Sequence, residues 1–181
     1  MPEASILTSR LILRPLLEDD ASRLFEYRSD PSVRRYQSFE PQSVEDARRF
    51  IEAGSWEHSD VWHQLGIRVR SSGALVGDLG FRFSGEQPHQ AEIGVTVAPE
   101  HQGQGIATEA LAGLLAHLFG SLGTHRVFAS VDPRNGPSMA MLQRVGMRQE
   151  GHFRQSLWFK GGWADDVVFA ILSSEWEPAT A

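Results

Sequence analysis

Apolar and polar residues alternate along several short runs of the chain, and this alternation predicts β-strands. A period of two places successive side chains on opposite faces of a strand. The clearest run is 91–98, in which Ile93, Val95 and Val97 share one face. Gly73 lies between two of the runs and is typical of the turn in a β-hairpin. The predicted strands are residues 10–14, 62–69, 75–83, 91–98, 126–131, 152–159 and 167–172.

Apolar residues three and four positions apart predict helices between these strands. The longest predicted helix begins near Ala107 and continues to Gly120, with leucines recurring on one face. A shorter helix is predicted at 135–145. Two others precede the strand-rich middle of the chain, one after the acidic residues 18–20 and one after Ser43.

The predicted order of elements is β-α-α-β-β-β-α-β-α-β-β, without an internal repeat or a linker. This order is typical of a mixed α/β layer fold, and we expect a single domain over residues 1–181. The net charge of -6 provides no overall basic surface for nucleic acid. With no cysteine, the chain forms no disulfide or thiolate metal site. No run approaches the roughly 18 apolar residues of a membrane helix, so we expect a cytoplasmic protein without a membrane or metal partner.

Two glycines stand where the strand at 91–98 leads into the long helix. Gly103 and Gly105 allow the backbone to turn tightly, so that several N–H groups converge at the helix N-terminus. This arrangement predicts a pyrophosphate-binding loop, with an ordinary turn as the alternative. A Walker loop would need Gly-Lys-Ser/Thr. A dinucleotide fingerprint would need a glycine in place of Thr108, which disfavours an NAD-linked oxidoreductase.

The loop residues belong to a wider set of motifs. The sequence Gln102-x-x-Gly105-x-Ala107 follows an Ile-Gly-Val-x-Val strand and precedes an amphipathic helix. Further along, Asn135-x-x-Ser138 opens the next predicted helix. This ordered set resembles the GNAT superfamily of N-acetyltransferases. The opening and closing segments of the chain resemble its RimJ/RimL subgroup, which acetylates protein N-termini and other amines. The segments that carry this second resemblance are Thr8-x-Arg10-Leu-x-Leu-Arg14-Pro15, Tyr27-Arg28-Ser29-Asp30-Pro31, Val76-Gly77-Asp78 and 150–166.

The resemblance implies the GNAT fold and a site for acetyl-coenzyme A. The fold has a mixed, mostly antiparallel sheet flanked by helices, with a V-shaped split between two central strands. The pantetheine of acetyl-CoA would pair with the strand backbone inside the split, and its pyrophosphate would bind the amides of the glycine loop. The implied cofactor-binding residues are Val95, Val97, Gln102, Gly103, Gln104, Gly105, Ile106, Ala107, Asn135 and Ser138.

The implied reaction is direct attack of a primary amine on the thioester in a ternary complex. It requires a neutral amine, a polarised carbonyl and a proton for the leaving thiolate. The family's usual tyrosine acid is replaced by Leu142, so Ser138 is the candidate acid, unless it only caps its own helix. Glu92, acting through water, is the candidate base, and His89 is the second candidate. Leu157 replaces a carboxylate found in some subgroup members, and a reaction without a protein base also stays open.

The identity of the acceptor stays open at the level of sequence. A protein N-terminus, a polyamine-like molecule and an aminoglycoside are the candidate amines, and Asp165 and Asp166 are candidate partners for a cation. A non-catalytic acyl-CoA-binding domain is the alternative function, and a homodimer is possible. The aromatic residues that would either fill the core or close the acceptor pocket are Trp56, Trp62, Trp158, Phe159 and Trp163.

Overall fold

A computed structural model of the protein describes residues 5–53, 61–84 and 89–177, so Trp56 lies outside the described residues. The chain forms an eight-stranded sheet with the spatial order β1-β2-β3-β4-β5-β6-β8-β7. Only β5 and β6 pair in parallel, and all other neighbours are antiparallel. The strands are β1 (Ile6–Leu7), β2 (Leu11–Pro15), β3 (His63–Val69), β4 (Leu75–Phe83), β5 (Gln90–Val97), β6 (Arg126–Val131), β7 (Arg148–Phe159) and β8 (Gly162–Leu172).

Five α-helices in the described part of the chain flank the sheet and confirm the predicted α/β class. Two short elements, β1 and a one-turn helix, escaped prediction because two and four residues show no period. The β7–β8 hairpin is longer than predicted, because β7 already begins at Arg148 and β8 at Gly162. Its turn is formed by Lys160 and Gly161, both with positive φ, as a tight hairpin turn requires. The helices are α1 (Ala21–Arg28), α2 (Pro31–Arg34), α3 (Val44–Ala53), α4 (Ile106–Gly120) and α5 (Gly136–Arg144).

Two apolar clusters hold the helices on opposite faces of the sheet. The larger cluster joins the leucines of α4 to Ile93 and Val97 of β5. The smaller cluster joins α1 and α3 to Leu75 and Ala98. Because Val97 and Ala98 are consecutive and belong to different clusters, α4 covers one face and α1 with α3 covers the other.

The parallel contact between β5 and β6 is short. It consists of three pairs, the last of which joins Glu92 to Phe128. Beyond that pair β5 continues beside β4, whereas β6 continues beside β8. The two strands therefore separate toward the C-terminal end of β5, which confirms the predicted V-shaped split.

Candidate active site

The glycine loop lies at the wide end of the split. Gly103 and Gly105 have φ values of 71° and 75°, in the left-handed region that favours glycine. The side chains of Gln102 and Gln104 fold back, and their Nε2 atoms donate to the carbonyls of Val97 at 2.9 Å and Glu100 at 3.0 Å. The backbone N–H groups of 103–107 donate no hydrogen bond to any acceptor in residues 5–53, 61–84 and 89–177. These amides are therefore available to an anion.

Arg10 lies beside this loop, a position that the sequence alone did not predict. Its Nε donates to Glu109 Oε2 at 2.6 Å, and its Nη1 donates to the carbonyl of Gln104 at 3.1 Å. Its Nη2 is 3.5 Å from the point that a Cβ on Gly105 would occupy. Burial raises the pKa of Glu109, but hydrogen bonds from Thr8 and Arg10 outweigh burial and hold it below its ordinary value. Arg10 thus compensates a negative charge in the first turn of α4.

The edge of β5 that faces the split is unpaired beyond Glu92. The N–H of Ala98 donates to the carbonyl of Val76 on the β4 side. Because backbone groups alternate in direction along a strand, those of Val95 and Val97 face the split. The Val97 carbonyl already accepts from Gln102, whereas the backbone groups of Val95 have no ladder partner on that side.

The N-terminus of α5 presents a free hydroxyl. The side chain of Asn135 caps this helix, because its Oδ1 accepts from the N–H of Ser138 at 3.3 Å. The Ser138 hydroxyl is half-buried and has no hydrogen-bond partner among the described residues, so it does not bond to its own helix. Leu142 is buried in the larger apolar cluster. The role of Ser138 as an acid stays a prediction.

Glu92 lies at the point where β5 and β6 separate. It is half-buried, and its Oε2 accepts from Arg82 Nη2 at 2.7 Å. The Arg82 guanidinium lies 5.4 Å from the centre of the Trp62 ring. Within the described ranges, Glu92 Oε1 has no partner, which leaves one oxygen for water. His89 is exposed at the start of β5, so both candidate bases stay predictions.

A pocket of about 130 Å³ lies beside Val95, between β4, β5 and the covering segments 37–39 and α3. Its floor contains a buried ion pair, in which Arg28 Nε donates to Asp78 Oδ1 at 3.1 Å and Arg28 Nη2 also contacts the carboxylate. Tyr27 Oη donates to Asp78 Oδ1 at 2.6 Å. Burial, together with the Asp78 charge, raises the pKa of Tyr27 well above its ordinary value. The pocket's carboxylate is therefore fully engaged.

A second cleft, of about 610 Å³, lies under the β7–β8 hairpin. Lys160 at the hairpin tip contacts Glu40 and the carbonyl of Arg34, which ties the hairpin to the segment around α2. Asp165 accepts from the N–H of Gln155 at 2.9 Å and pairs with His152 at 2.8 Å. These two contacts, the Gln155 amide first, lower the pKa of Asp165. Its predicted contact with a cationic amine stays a prediction.

Two of the predicted aromatic residues line this cleft, and a third lies next to it. Phe159 and Trp163 line it, and Trp158 contacts Trp163 with a ring separation of 5.3 Å. Trp158 and Trp163 are 60% and 61% exposed, so neither fills the core.

Asp166, the second predicted partner for a cation, accepts a hydrogen bond from the Ser130 hydroxyl at 2.6 Å.

Comparison with known proteins decides the family. Residues 10–148 match the family described as Acetyltransferase (GNAT) domain. The chain belongs to the GNAT family of acetyltransferases. This acetyltransferase is 31% identical over 172 residues to the uncharacterized N-acetyltransferase YnaD of Bacillus subtilis (strain 168), covering 94% of this chain and 98% of that protein.

Two further similarities concern the subgroup. The acetyltransferase is 25% identical over 189 residues to the ribosomal protein uS5-alanine N-acetyltransferase of Escherichia coli (strain K12), covering 98% of this chain and 95% of that protein. Mycobacterium smegmatis RimJ in complex with CoA-disulfide superposes with a TM-score of 0.81 at 29% identity, covering 91% of this chain and 83% of RimJ. The RimJ/RimL-like resemblance is confirmed, and the protein is an N-acetyltransferase of a family that uses acetyl-CoA.

Neither a membrane-spanning helix nor a metal-binding cluster occurs among the described residues. None of the helices there is both long and apolar enough to cross a membrane. In the same ranges, no group of three or more His, Cys, Asp or Glu residues is arranged to hold a metal ion.

Proposed function

We propose that acetyl-CoA lies in the split between β5 and β6 and gives its acetyl group to the α-amine of a peptide. The unpaired amides of 103–107 carry this proposal, because they form an anion site at the N-terminus of a 15-residue helix. The pyrophosphate binds there, and Gln102 and Gln104 shape the loop through their side chains. The pantetheine runs along Val95 and Val97 toward the narrow end of the split, near Asn135 and Ser138.

The charge of the acceptor pocket supports a peptide amine over a polycation. Asp78, the carboxylate in the pocket, is neutralised by Arg28 and accepts a further hydrogen bond from Tyr27. Among the described residues that line this pocket, a polyamine or aminoglycoside would find no unpaired acid. A peptide α-amine has an ordinary pKa of about 8 and is more often neutral than an alkyl amine with a pKa near 10. The similarity to the ribosomal protein uS5-alanine N-acetyltransferase also supports a peptide amine as the acceptor. The same similarity supports the cytoplasm as the compartment.

The function is tested by thiol release from acetyl-CoA in the presence of an amine panel. We expect release with peptides that carry a free N-terminus, and background release with the same peptides after N-terminal blocking. Spermidine and an aminoglycoside should be poorer acceptors. Binding of acetyl-CoA without thiol release for any amine would instead support the non-catalytic acyl-CoA-binding alternative.

The proposed chemistry uses the two candidate side chains on either side of the thioester. Val95 N–H polarises the carbonyl, and Glu92 receives the amine proton through water bound at its free oxygen. As the C–S bond breaks, Ser138 gives a proton to the departing thiolate and regains one from solvent. Each role is local to one strand or helix end, so the two side chains can be tested separately. Neither Leu142 nor Leu157 offers a proton.

Ser138→Ala should lower kcat by roughly 10- to 100-fold, at or below the lower end of the range for general acid catalysis, because a thiolate is already a fairly good leaving group. The KM for acetyl-CoA should change little, because the backbone N–H of residue 138 still donates to Asn135 and the N-terminus of α5 therefore keeps its shape. Steady-state kinetics provide the measurement, and Ser121→Ala at the far end of α4 is the control. A kcat equal to that of the wild type would remove Ser138 from the chemistry.

Glu92→Gln should lower kcat by roughly tenfold or more and weaken the pH dependence of kcat, because the amide cannot receive a proton. Arg82 keeps a hydrogen-bond acceptor in this variant, so the pocket should retain its shape. A pH–rate profile of both proteins, with His89→Gln as the comparison, separates the two candidate bases. A profile that is unchanged in both variants would indicate that the amine arrives already deprotonated.

Arg10→Ala should weaken acetyl-CoA binding roughly tenfold, because Glu109 is then left uncompensated beside the pyrophosphate. Arg10→Ala combined with Glu109→Gln should recover much of that loss. Calorimetric titration with CoA is the measurement. Arg14→Ala is the control, since Arg14 is exposed on the adjoining β2 and has no ion pair in the described ranges. Failure of the double variant to recover affinity would instead indicate direct contact between Arg10 and a phosphate.

A further inference from the structure

Three residues form a row across three strands at the floor of the small pocket. Gln64 of β3 is directly opposite Gly80 of β4, which is directly opposite Gly94 of β5. A Cβ on Gly80 would lie 2.8 Å from Nε2 and 2.9 Å from Oε1 of Gln64. A Cβ on Gly94 would meet no atom within 4 Å. The carboxamide of Gln64 therefore lies over Gly80 and borders an open notch at Gly94.

The notch is adjacent in sequence to Val95, whose backbone faces the split. Both glycines and Gln64 line the same pocket of about 130 Å³. Gln64 is half-buried, and its carboxamide has no hydrogen-bond partner in the part of the chain that the structure describes. A carboxamide offers one acceptor oxygen and two N–H donors, so it can bind a neutral amine or a peptide carbonyl.

The charged groups among the described residues at the pocket floor are paired with one another, whereas the Gln64 carboxamide is available to a ligand. Arg28 and Asp78 satisfy each other, and the Tyr27 hydroxyl is committed to the same carboxylate. Arg82 is committed to Glu92, the next pair on the same face of these strands. A neutral group in this position does not select for a protonated amine, which could not attack a thioester.

We propose that Gln64 binds the acceptor over the Gly80–Gly94 notch and sets the preference for a neutral peptide amine. Its Oε1 accepts a hydrogen bond from the attacking N–H, and its Nε2 donates to the first peptide carbonyl. The proposal rests on the proposed function, because it assigns the acceptor position within the same site. It predicts that a carboxylate at residue 64 would favour cationic acceptors.

Two variants test this role. Gln64→Leu removes both hydrogen bonds and should lower kcat/KM for peptide acceptors about tenfold, mainly through a higher KM. The KM for acetyl-CoA should stay at the wild-type value. Gln64→Glu should shift the ratio of spermidine to peptide kcat/KM at least tenfold toward spermidine, because it introduces an unpaired charge. Gln149→Leu, at an exposed position on β7, is the matched control.

Calorimetric binding of CoA by every variant provides a measure of folding that is independent of the acceptor. Wild-type turnover with peptides combined with unchanged acceptor kinetics in both Gln64 variants would overturn this inference and leave the proposed function standing. Absence of thiol release by the wild-type protein with every amine would overturn both. A variant that loses acetyl-CoA affinity along with acceptor affinity would also contradict an acceptor-specific role.

Discussion

Asp78→Ala should lower the free energy of unfolding by about 3–5 kcal/mol, the range observed when one partner of a buried ion pair is removed. Arg28 is buried and keeps its charge in this variant, because no other carboxylate contacts its guanidinium within the described residues. Tyr27 also loses the acceptor of its hydroxyl. The Phe39 and Phe50 rings, 5.6 and 5.3 Å from the guanidinium, offset only part of this loss.

Urea unfolding followed by circular dichroism measures the change. Glu45→Ala is the matched control, because Glu45 pairs with Arg48 on the exposed surface of α3, and removal of such a pair should change the free energy of unfolding by less than about 1 kcal/mol. An Asp78→Ala effect as small as that of the control would contradict the buried ion pair. The same variant should also lose acceptor activity, since this ion pair forms the floor of the small pocket.

Gly105→Val should weaken acetyl-CoA binding by about 1–3 kcal/mol, or roughly 5- to 150-fold in Kd. The φ of Gly105 is +75°, and a β-branched residue adopts this conformation only with strain. Its Cβ would also lie 3.5 Å from Arg10 Nη2, beside the amides that receive the pyrophosphate. A shift of the loop away from this conformation turns those amides out of the anion site.

Gly123→Val is the matched control for strain. Gly123 has a φ of +63° and open space around its Cβ position, but it follows the opposite end of α4, roughly 20 Å from the loop. Both variants should lose a similar amount of stability, and only Gly105→Val should lose affinity in calorimetric titration. Equal affinities for acetyl-CoA in the two variants would refute the assignment of the loop.

The sequence predicts most strands and helices because their apolar periods are local. The loop at 102–107 is predictable for the same reason, since two glycines between an alternating strand and an amphipathic helix are adjacent in the chain. The short elements β1 and α2 are not predictable from an apolar period, because two and four residues show none. In the structure, β1 is held by its pairing with β2, and α2 is held by a local cap from the side chain of Asp30.

The remaining parts of the site depend on contacts between residues that are distant in sequence. Arg10 reaches Glu109 across the fold, and Arg28 reaches Asp78 in the same way. The notch exists only because β3, β4 and β5 align Gln64, Gly80 and Gly94 in one row. The motifs Thr8-x-Arg10 and Val76-Gly77-Asp78 contain one residue of each ion pair. A motif alone does not identify the residue with which Arg10 or Asp78 pairs, because that depends on the fold.

The position of the cofactor is tested most directly by amide chemical shifts. In a 15N-labelled protein, we predict that CoA moves the resonances of Gly103, Gly105 and Ala107, whereas pantetheine, which lacks the phosphates, moves Val95 and leaves these three in place. Loop amides that respond equally to both ligands, or to neither, would contradict a pyrophosphate site at the start of α4.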